Sequence, residues 1–261
     1  MRFSVGGCRV VEWWQAPVLA AVGVVAGWMN VLAGGGSLLT VPAMLFMGIP
    51  GPVANGTNRV AILAQNVVAV TTFFRRGFSD FRLSLSLAAA ASLGAVGGAM
   101  VGVQLDGVWF NRVLAIIMVG VMLIMATGRK GGRPDDHPNR PQRLLLGHLC
   151  MVGAGAWGGF IQIGVGFILM PILHRVMGLD LVHTNMHKVF IVLTYTVVAL
   201  VVFAVQLELL WLVGLSLAVG NAIGGWLGAH TTVTRGEGLI RAVLYIVLTG
   251  FIVKLVFFSG P

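Results

Sequence analysis

The sequence predicts an all-α polytopic membrane protein made of two inverted repeats with glycine-broken half-helices, roughly 8–10 membrane segments in all. Three observations carry that prediction. Residues of the AVILMFWYC set make up 57% of the 261 residues and DEKR only 10%, against about 25% charged in a soluble domain. Apolar runs long enough to span a bilayer recur along the chain. The second half repeats the first at a nearly fixed shift. A soluble fold of this length would lack the charge to cover its surface. The 37 glycines follow no collagen period, and two cysteines, Cys8 and Cys150, make no disulfide framework. The first apolar stretch lacks a cleavage-like exit, so no secretory signal peptide is expected.

The apolar runs are Pro17 to Ala33, Ser37 to Met47, Thr57 to Phe74, Leu83 to Gln104 and Val108 to Thr127. A polar linker, Gly128 to Arg143, holds Pro134, Pro138 and Pro141. Then come Leu144 to Ile161, Phe167 to Met177, Met186 to Val205, Leu209 to Ala229 and Leu239 to Phe257. A spanning helix needs about 20 residues. Ser37 to Met47 and Phe167 to Met177 are too short, and each follows a glycine-rich break and carries a proline. They read as half-helices or re-entrant segments. The organisation expected is a first membrane repeat over 1–127, a cytoplasmic linker over 128–143 and a second repeat over 144–261.

The net charge of +9 resides in short loops, so it points to membrane orientation and not to nucleic acid. With the linker in the cytoplasm, Arg129, Lys130, Arg133, Arg140 and Arg143 lie inside. Threading outward adds Arg75, Arg76, Arg82, Arg175, Arg235 and Arg241 to that side. Arg2, Arg9, Arg112 and Lys254 fall outside. Eleven against four sets the orientation, with both termini and a Pro50 to Ala54 loop outside.

At a shift of 129, Trp28 falls on Trp157, Gly35 on Gly164 and Pro42 on Pro171. Arg59 falls on Lys188, Val60 on Val189, Ile62 on Ile191, Val68 on Val197 and Phe74 on Phe203. GAVGGAMVG (94–102) resembles GNAIGGWLG (220–228), and each places three glycines four residues apart on one helix face. Matching loops carry opposite charge: Arg75 and Arg76 against Glu208, Asp106 against Arg235 and Arg241. That predicts halves inserted in opposite directions, with a substrate site near the midplane where they meet.

The run Val31 to Pro42, VLAGGGSLLTVP, is the strongest local signal. Gly34, Gly35 and Gly36 do not sit comfortably in a helix interior. They are expected to unwind the chain and start a new half-helix at Ser37. Backbone N–H groups at such a start suit an anion, and the Ser37 hydroxyl can cap or contact a ligand. Gly164 and Gly166 make a weaker version in the second half. Close helix packing alone is the other reading of these glycines.

Charge inside apolar spans is the second signal. Arg59 and Lys188 occupy equivalent repeat positions, and every Asp and Glu lies in a loop or at a span end. An ionisable group at a span centre costs about 2.5–3.5 kcal/mol on insertion scales. Two such cations without a carboxylate call for an anionic ligand; snorkelling to the interface is the alternative. Around them lie Asn55, Thr57, Asn58, Gln65 and Asn66, and Thr184, Asn185, His187, Thr194 and Tyr195. Thr57 and Asn185 are alternatively helix caps. Asn66 and Tyr195 match by the repeat and are expected to face inward. His187 can exchange a proton near neutral pH or be structural. The candidate substrate-binding set is Gly34, Gly35, Gly36, Ser37, Thr57, Asn58, Arg59, Asn66, Gly164, Gly166, His187, Lys188 and Tyr195. No histidine spacing suggests a metal site, and no hydrolase, zincin, Walker or dinucleotide motif occurs. No catalytic residue, metal or cofactor is expected.

GWMNVLAGGGSLLTVPAMLFMGIPGPVANGTNRVAIL (27–63) resembles the first motif of the sulfite exporter TauE/SafE family of sulfur-anion permeases. WGGFIQIGVGFILMPILHRVMGLDLVHTNMHKVFIVLTY (157–195) resembles the second. GAVGGAMVG and GNAIGGWLG match the later glycine-rich helices, so the resemblance covers roughly Ala16 to Phe257. Ile163 and Val165 stand where glycines are common in such members. The resemblance implies transport of sulfite, taurine, sulfoacetate or a related anion, usually outward across the bacterial inner membrane.

The function expected is secondary transport of a small sulfur-containing anion by a multi-pass cell-membrane protein. An anion channel or a carboxylate permease of the same architecture is the alternative. Neither is an enzyme. The expected partners are the anion and the lipid bilayer, without nucleic acid; a homo-oligomer is compatible with the sequence.

Overall fold

The computed structural model describes residues 15–127 and 142–235. All regular structure among them is helical: α1 (Gln15–Ala33), α2 (Ser37–Phe46), α3 (Gly51–Arg75), α4 (Phe81–Gln104), α5 (Gly107–Thr127), α6 (Leu144–Phe160), α7 (Val165–Pro171), α8 (Leu181–Gln206) and α9 (Trp211–Arg235). After Pro171 the last turn of α7 widens to a π-turn over Ile172–Val176. Most of the linker and the whole run Leu239 to Phe257 lie outside the described residues, as does Cys8.

The first four helices begin at 15, 37, 51 and 81, and α6 to α9 begin at 144, 165, 181 and 211. The shifts are 129, 128, 130 and 130, so the element order repeats as the sequence does. Packing repeats with it. α1 lies along α9, and α6 lies along α4. A side chain on Gly94 or Gly98 would strike backbone of α6 at Val152 and Ala156. One on Gly220 or Gly224 would strike backbone of α1 at Ala20 and Val24. The four-residue glycine spacing therefore buys close backbone contact between helices of different halves.

The two short helices fold back along the helices that precede them. Leu19 in α1 shares a core cluster with Val41 and Met44 of α2, so α2 runs back along α1. In the second half Gly147 of α6 abuts Met177, and the Gln142 N–H donates to the Met177 carbonyl at 2.9 Å. α7 and its π-turn thus return to the starting end of α6.

Four described helices, α1, α4, α8 and α9, are long and apolar enough to cross a membrane. α3 has 25 residues but a more polar sequence. Its Asn55, Thr57, Asn58, Arg59, Gln65 and Asn66 are all buried, so its polar face is turned into the protein. This inverts the usual amphipathic logic, as expected where the outside is lipid.

Two expected helix starts move by five residues or more. α3 starts at Gly51, not Thr57, behind Pro50 with Pro52 in its first turn. The Pro50 to Ala54 stretch expected as a loop is therefore mostly helix. α8 starts at Leu181, not Met186, where Asp180 Oδ1 accepts from the Val182 and His183 N–H groups at 2.9 Å each. Polar residues that read as loop in the sequence are buried inside both helices. Thr57 and Asn185 accordingly lie within helices and do not cap them.

Candidate functional site

The two helix breaks meet. At Gly34 the chain turns left-handed (φ 81°), and the Gly34 N–H still donates to the Asn30 carbonyl at 2.8 Å. A Cβ on Gly34 would land on Gly166 Cα, and one on Gly166 would land on Gly34 Cα. Backbone touches backbone here, and glycine alone permits it. The new helix starts with the Leu38 and Leu39 N–H groups donating to the Gly35 and Gly36 carbonyls, at 3.0 and 2.9 Å. The N–H groups of Gly35, Gly36 and Ser37 therefore precede the ladder of α2. All three residues are buried.

Ser37 does not cap α2: its Oγ accepts from Asn58 Nδ2 at 3.2 Å. The Thr40 hydroxyl donates to Asn58 Oδ1 at 2.7 Å. One amide on α3 thus grips the first turn of α2 at two points. Thr57, one residue earlier, accepts from the Leu210 N–H at 3.2 Å and ties α3 to the chain entering α9.

The second break is built differently. α6 ends at Phe160, Ile161 is extended, and Gly164 is left-handed with φ 73°. Here side chains of α3 and α6 satisfy the backbone that the break releases. Asn55 Nδ2 donates to the Phe160 carbonyl at 2.9 Å, and its Oδ1 accepts from the Gln162 N–H at 3.4 Å. Trp157 Nε1 donates to the Ile163 carbonyl at 3.2 Å.

Arg59 is fully buried. It donates to the Gly158 carbonyl at 3.0 Å, the Gly159 carbonyl at 2.5 Å and Gln162 Oε1 at 3.2 Å. Its guanidinium lies 4.4 Å from the centre of the Phe203 ring. Gln162 Nε2 in turn donates to the Tyr195 hydroxyl at 3.0 Å. Lys188 is 2% exposed and donates to the Val31 carbonyl at 2.6 Å and to Asn185 Oδ1 at 2.7 Å. Neither residue snorkels.

The two cations are thus used alike. Each sits on a long helix of one half and caps the carboxyl end of the broken helix of the other: Arg59 of α3 on α6, Lys188 of α8 on α1. A helix C-terminus carries roughly half a negative charge on unpaired carbonyls. That is the counter-charge the carboxylate-free spans lacked in the sequence. One donor is left over, because Arg59 Nε is buried without a hydrogen-bond partner.

The remaining candidates separate. Asn66 Nδ2 donates to the Ile62 carbonyl of its own helix at 2.8 Å. His187 Nδ1 lies 2.8 Å from Ser84 Oγ on α4, nearer the end of the molecule that carries Arg75 and Arg76. The candidate set also left out Gln162, Asn55 and Gln65. Gln65 Oε1 accepts from Asn30 at 3.2 Å and from Asn221 at 3.4 Å, joining α1, α3 and α9. The signal that finds such residues is an uncharged amide in an apolar span, which is costly unless paired.

The family profile "Sulfite exporter TauE/SafE" matches residues 19–255. The chain belongs to the sulfite exporter TauE/SafE family. It is 28% identical to a "Probable membrane transporter protein" of Haemophilus influenzae, over 93% of this chain and 95% of the relative. It is 27% identical to "Probable membrane transporter protein ORF9" of a Sinorhizobium species, over 88% of each. It is 25% identical to "Probable membrane transporter protein YfcA" of Escherichia coli K12, over 93% of this chain and 90% of the relative. No solved structure matches the chain. This TauE/SafE member is a membrane transporter and not an enzyme.

Proposed function

We propose that the chain is a secondary transporter that carries a small sulfur-containing anion, such as sulfite or an organosulfonate, outward across the inner membrane. The observation that carries this reading is the meeting of two glycine breaks, Gly34 on Gly166, with one buried cation bonded to each broken helix end. We read the halves, 1–127 and 144–261, as inverted repeats joined by a cytoplasmic linker, with the anion held where their breaks meet.

The cations are the natural ligands. In the resting arrangement they are neutralised by helix carbonyls, which carry partial charges only. A full anionic charge is a stronger partner, with charge-assisted bonds worth roughly 1.5–3 kcal/mol each. The anion therefore competes with the carbonyls of Gly158, Gly159 and Val31. Arg59 Nε is an unused donor from the start. The N–H groups ahead of α2, at Gly35, Gly36 and Ser37, provide the second set of donors. Displacing a cation from a helix end loosens that end, which couples binding to movement of one half against the other. The direct backbone contact between the breaks favours a carrier over an open channel.

Purified protein in proteoliposomes is to be offered sulfite, sulfate, thiosulfate, taurine and sulfoacetate. Saturable flux of one sulfur anion at carrier rates is the expected result. Flux of none of them, or of carboxylates alone, overturns the substrate class, and channel-like conductance overturns the carrier.

A further inference from the structure

We infer that His187 and Ser84 form a proton-binding site that loads together with the anion, filled from the basic end of the molecule. The inference rests on the transport reading above and adds a coupling ion to it.

His187 is 1% exposed and Ser84 is equally buried. Ser84 Oγ lies 2.8 Å from His187 Nδ1 and 3.8 Å from the Met186 sulfur. This triangle suits either protonation state. Against a neutral ring with a bare Nδ1, the hydroxyl donates to the ring. Against a charged ring, Nδ1–H donates to the hydroxyl oxygen, and the hydroxyl proton turns to the sulfur, a weak acceptor. A hydroxyl donates and accepts at one atom, so it serves both states.

Ser84 also stands in the wall of a small open cleft with room for about one water molecule, lined further by Phe74, Asp80, Phe81, Met186 and Phe190. Asp80 is exposed at its mouth, where its Oδ1 also caps α4 by accepting from the Leu83 N–H at 3.1 Å. A proton arriving from water at the Ser84 oxygen displaces the hydroxyl proton onto Nδ1. The donor is hydronium: its O–H bond and the old Ser84 O–H bond break, a new Ser84 O–H bond and an N–H bond form, and the products are water and an imidazolium.

The repeat adds an independent observation. His187 stands where Asn58 stands in the first half, beside Lys188 and Arg59 respectively. Asn58 is wholly used in holding Ser37 and Thr40. The titratable member of this matched pair is thus present on one side only, next to the cleft. The charged and titratable groups around His187 are Asp80 on the turn before α4 and His183 with Asp180 at the start of α8; Lys188 follows it in the chain, with its ammonium on the Val31 carbonyl and Asn185 Oδ1. Arg76 at the end of α3 is 2.6 Å from His230 Nδ1 of α9. An imidazolium beside Lys188 is unfavourable in a dry span until an anion arrives. Proton and anion therefore raise each other's affinity, by linkage.

The test uses the full chain in nanodiscs, with histidine ring nitrogens labelled and the His187 signals assigned by their loss in His187→Asn. The expected result is that the His187 ring nitrogens, with the anion bound, titrate between about pH 5 and pH 8. Millimolar sulfoacetate, whose charge is fixed over that range, should move the midpoint upward, with coupling of roughly tenfold. In Ser84→Ala the Nδ1 signal should shift, because its partner is gone. Signals that stay flat across the range overturn the proton site, whether or not any anion is transported. Titration that no member of the panel (sulfite, sulfate, thiosulfate, taurine or sulfoacetate) shifts overturns the coupling. In proteoliposomes, a gradient of the transported anion should acidify the receiving side in the wild type. His187→Asn should lose that proton movement by roughly tenfold or more. Absence of any anion flux in the wild type would instead count against the transport reading, and the nuclear resonance result stands apart from it.

Discussion

The two helix breaks perform one task with different parts. At the first, three consecutive glycines, 34 to 36, let the chain turn, and a single amide, Asn58, steadies the new helix through Ser37 and Thr40. At the second, Ile163 and Val165 flank a lone left-handed Gly164. There Asn55, Arg59 and Trp157 satisfy the released backbone. The difference teaches that a break in a membrane helix needs its orphan carbonyls satisfied, by whatever supplies the donors. Glycine solves the steric half of that problem and leaves the polar half to a neighbour. The second break therefore depends more on α3 than the first depends on α8, and that asymmetry can be tested.

The largest effect is expected where the breaks touch. Gly34→Val and Gly166→Val both place a side chain on facing backbone. Overpacking costs about 1–3 kcal/mol, and the left-handed Gly34 adds about 1–2 kcal/mol for any residue with a Cβ. Gly34→Val should thus lose more folded protein than Gly166→Val, read as the monodisperse fraction after detergent extraction and the thermal midpoint. Both should abolish transport. If Gly166→Val is the worse folded, the turn at Gly34 is not what sets the first break.

Next come the cations. Arg59→Gln releases two buried carbonyls, Gly158 and Gly159, whereas Lys188→Gln releases one, Val31. An unsatisfied buried group costs about 1–3 kcal/mol. Arg59→Gln should be the more destabilising, and Arg59→Lys should recover only part, because one ammonium does not span two carbonyls as the planar fork does. Affinity is a separate readout. As anion ligands, both Gln variants should bind sulfite or a sulfonate about tenfold to a hundredfold more weakly, since each 1.4 kcal/mol is a factor of ten. Reduced stability with unchanged affinity in both would leave them as helix-end caps alone.

The same contrast marks what could be read without coordinates. The fold was legible because lipid imposes simple rules: spans of fixed length, basic loops and a repeat that Trp28, Pro42 and Arg59 share with Trp157, Pro171 and Lys188. The glycine breaks were legible too, since three adjacent glycines have few other uses in a span. The partners of Arg59 and Lys188 were not. Helix-end carbonyls leave no mark in a sequence, whereas a carboxylate would, and no span holds one. Asn55 and the start of α3 are hard to read in the sequence for a related reason. GPVANGTNR has the composition of a loop, and only the polar groups of α6 facing it make it a helix.

A smaller effect separates the two amides. Asn55→Ala should leave the Phe160 carbonyl and the Gln162 N–H unsatisfied, a cost of about 1–3 kcal/mol for each buried group. Asn58→Ala frees two hydroxyls, Ser37 and Thr40, which can rotate to other acceptors, so about 1 kcal/mol is expected. Chemical or thermal unfolding of the two variants should rank Asn55→Ala as the less stable. The reverse order would mean that the first break, for all its glycines, relies on its neighbour as heavily as the second.

The smallest effect concerns Tyr195 and its repeat partner Asn66. Tyr195 is fully buried with its ring against Gly158, and its hydroxyl accepts from Gln162. Tyr195→Phe keeps the ring and removes only that acceptor. Gln162 still accepts from Arg59, so the loss should be about 0.5–1.5 kcal/mol of stability, the usual worth of one neutral hydrogen bond. Asn66→Leu removes an amide bonded only to its own helix, at the Ile62 carbonyl, which already takes part in the helical ladder. It should cost less still, or nothing. Anion affinity then separates positioning from contact. If Tyr195 only orients Gln162 and through it Arg59, Tyr195→Phe should weaken binding by less than about tenfold, and Gln162→Ala should do the same or more. A larger loss in Tyr195→Phe than in Gln162→Ala would mean that the hydroxyl itself meets the anion. The second half would then carry a substrate ligand that the first half, with Asn66 turned to its own backbone, does not match.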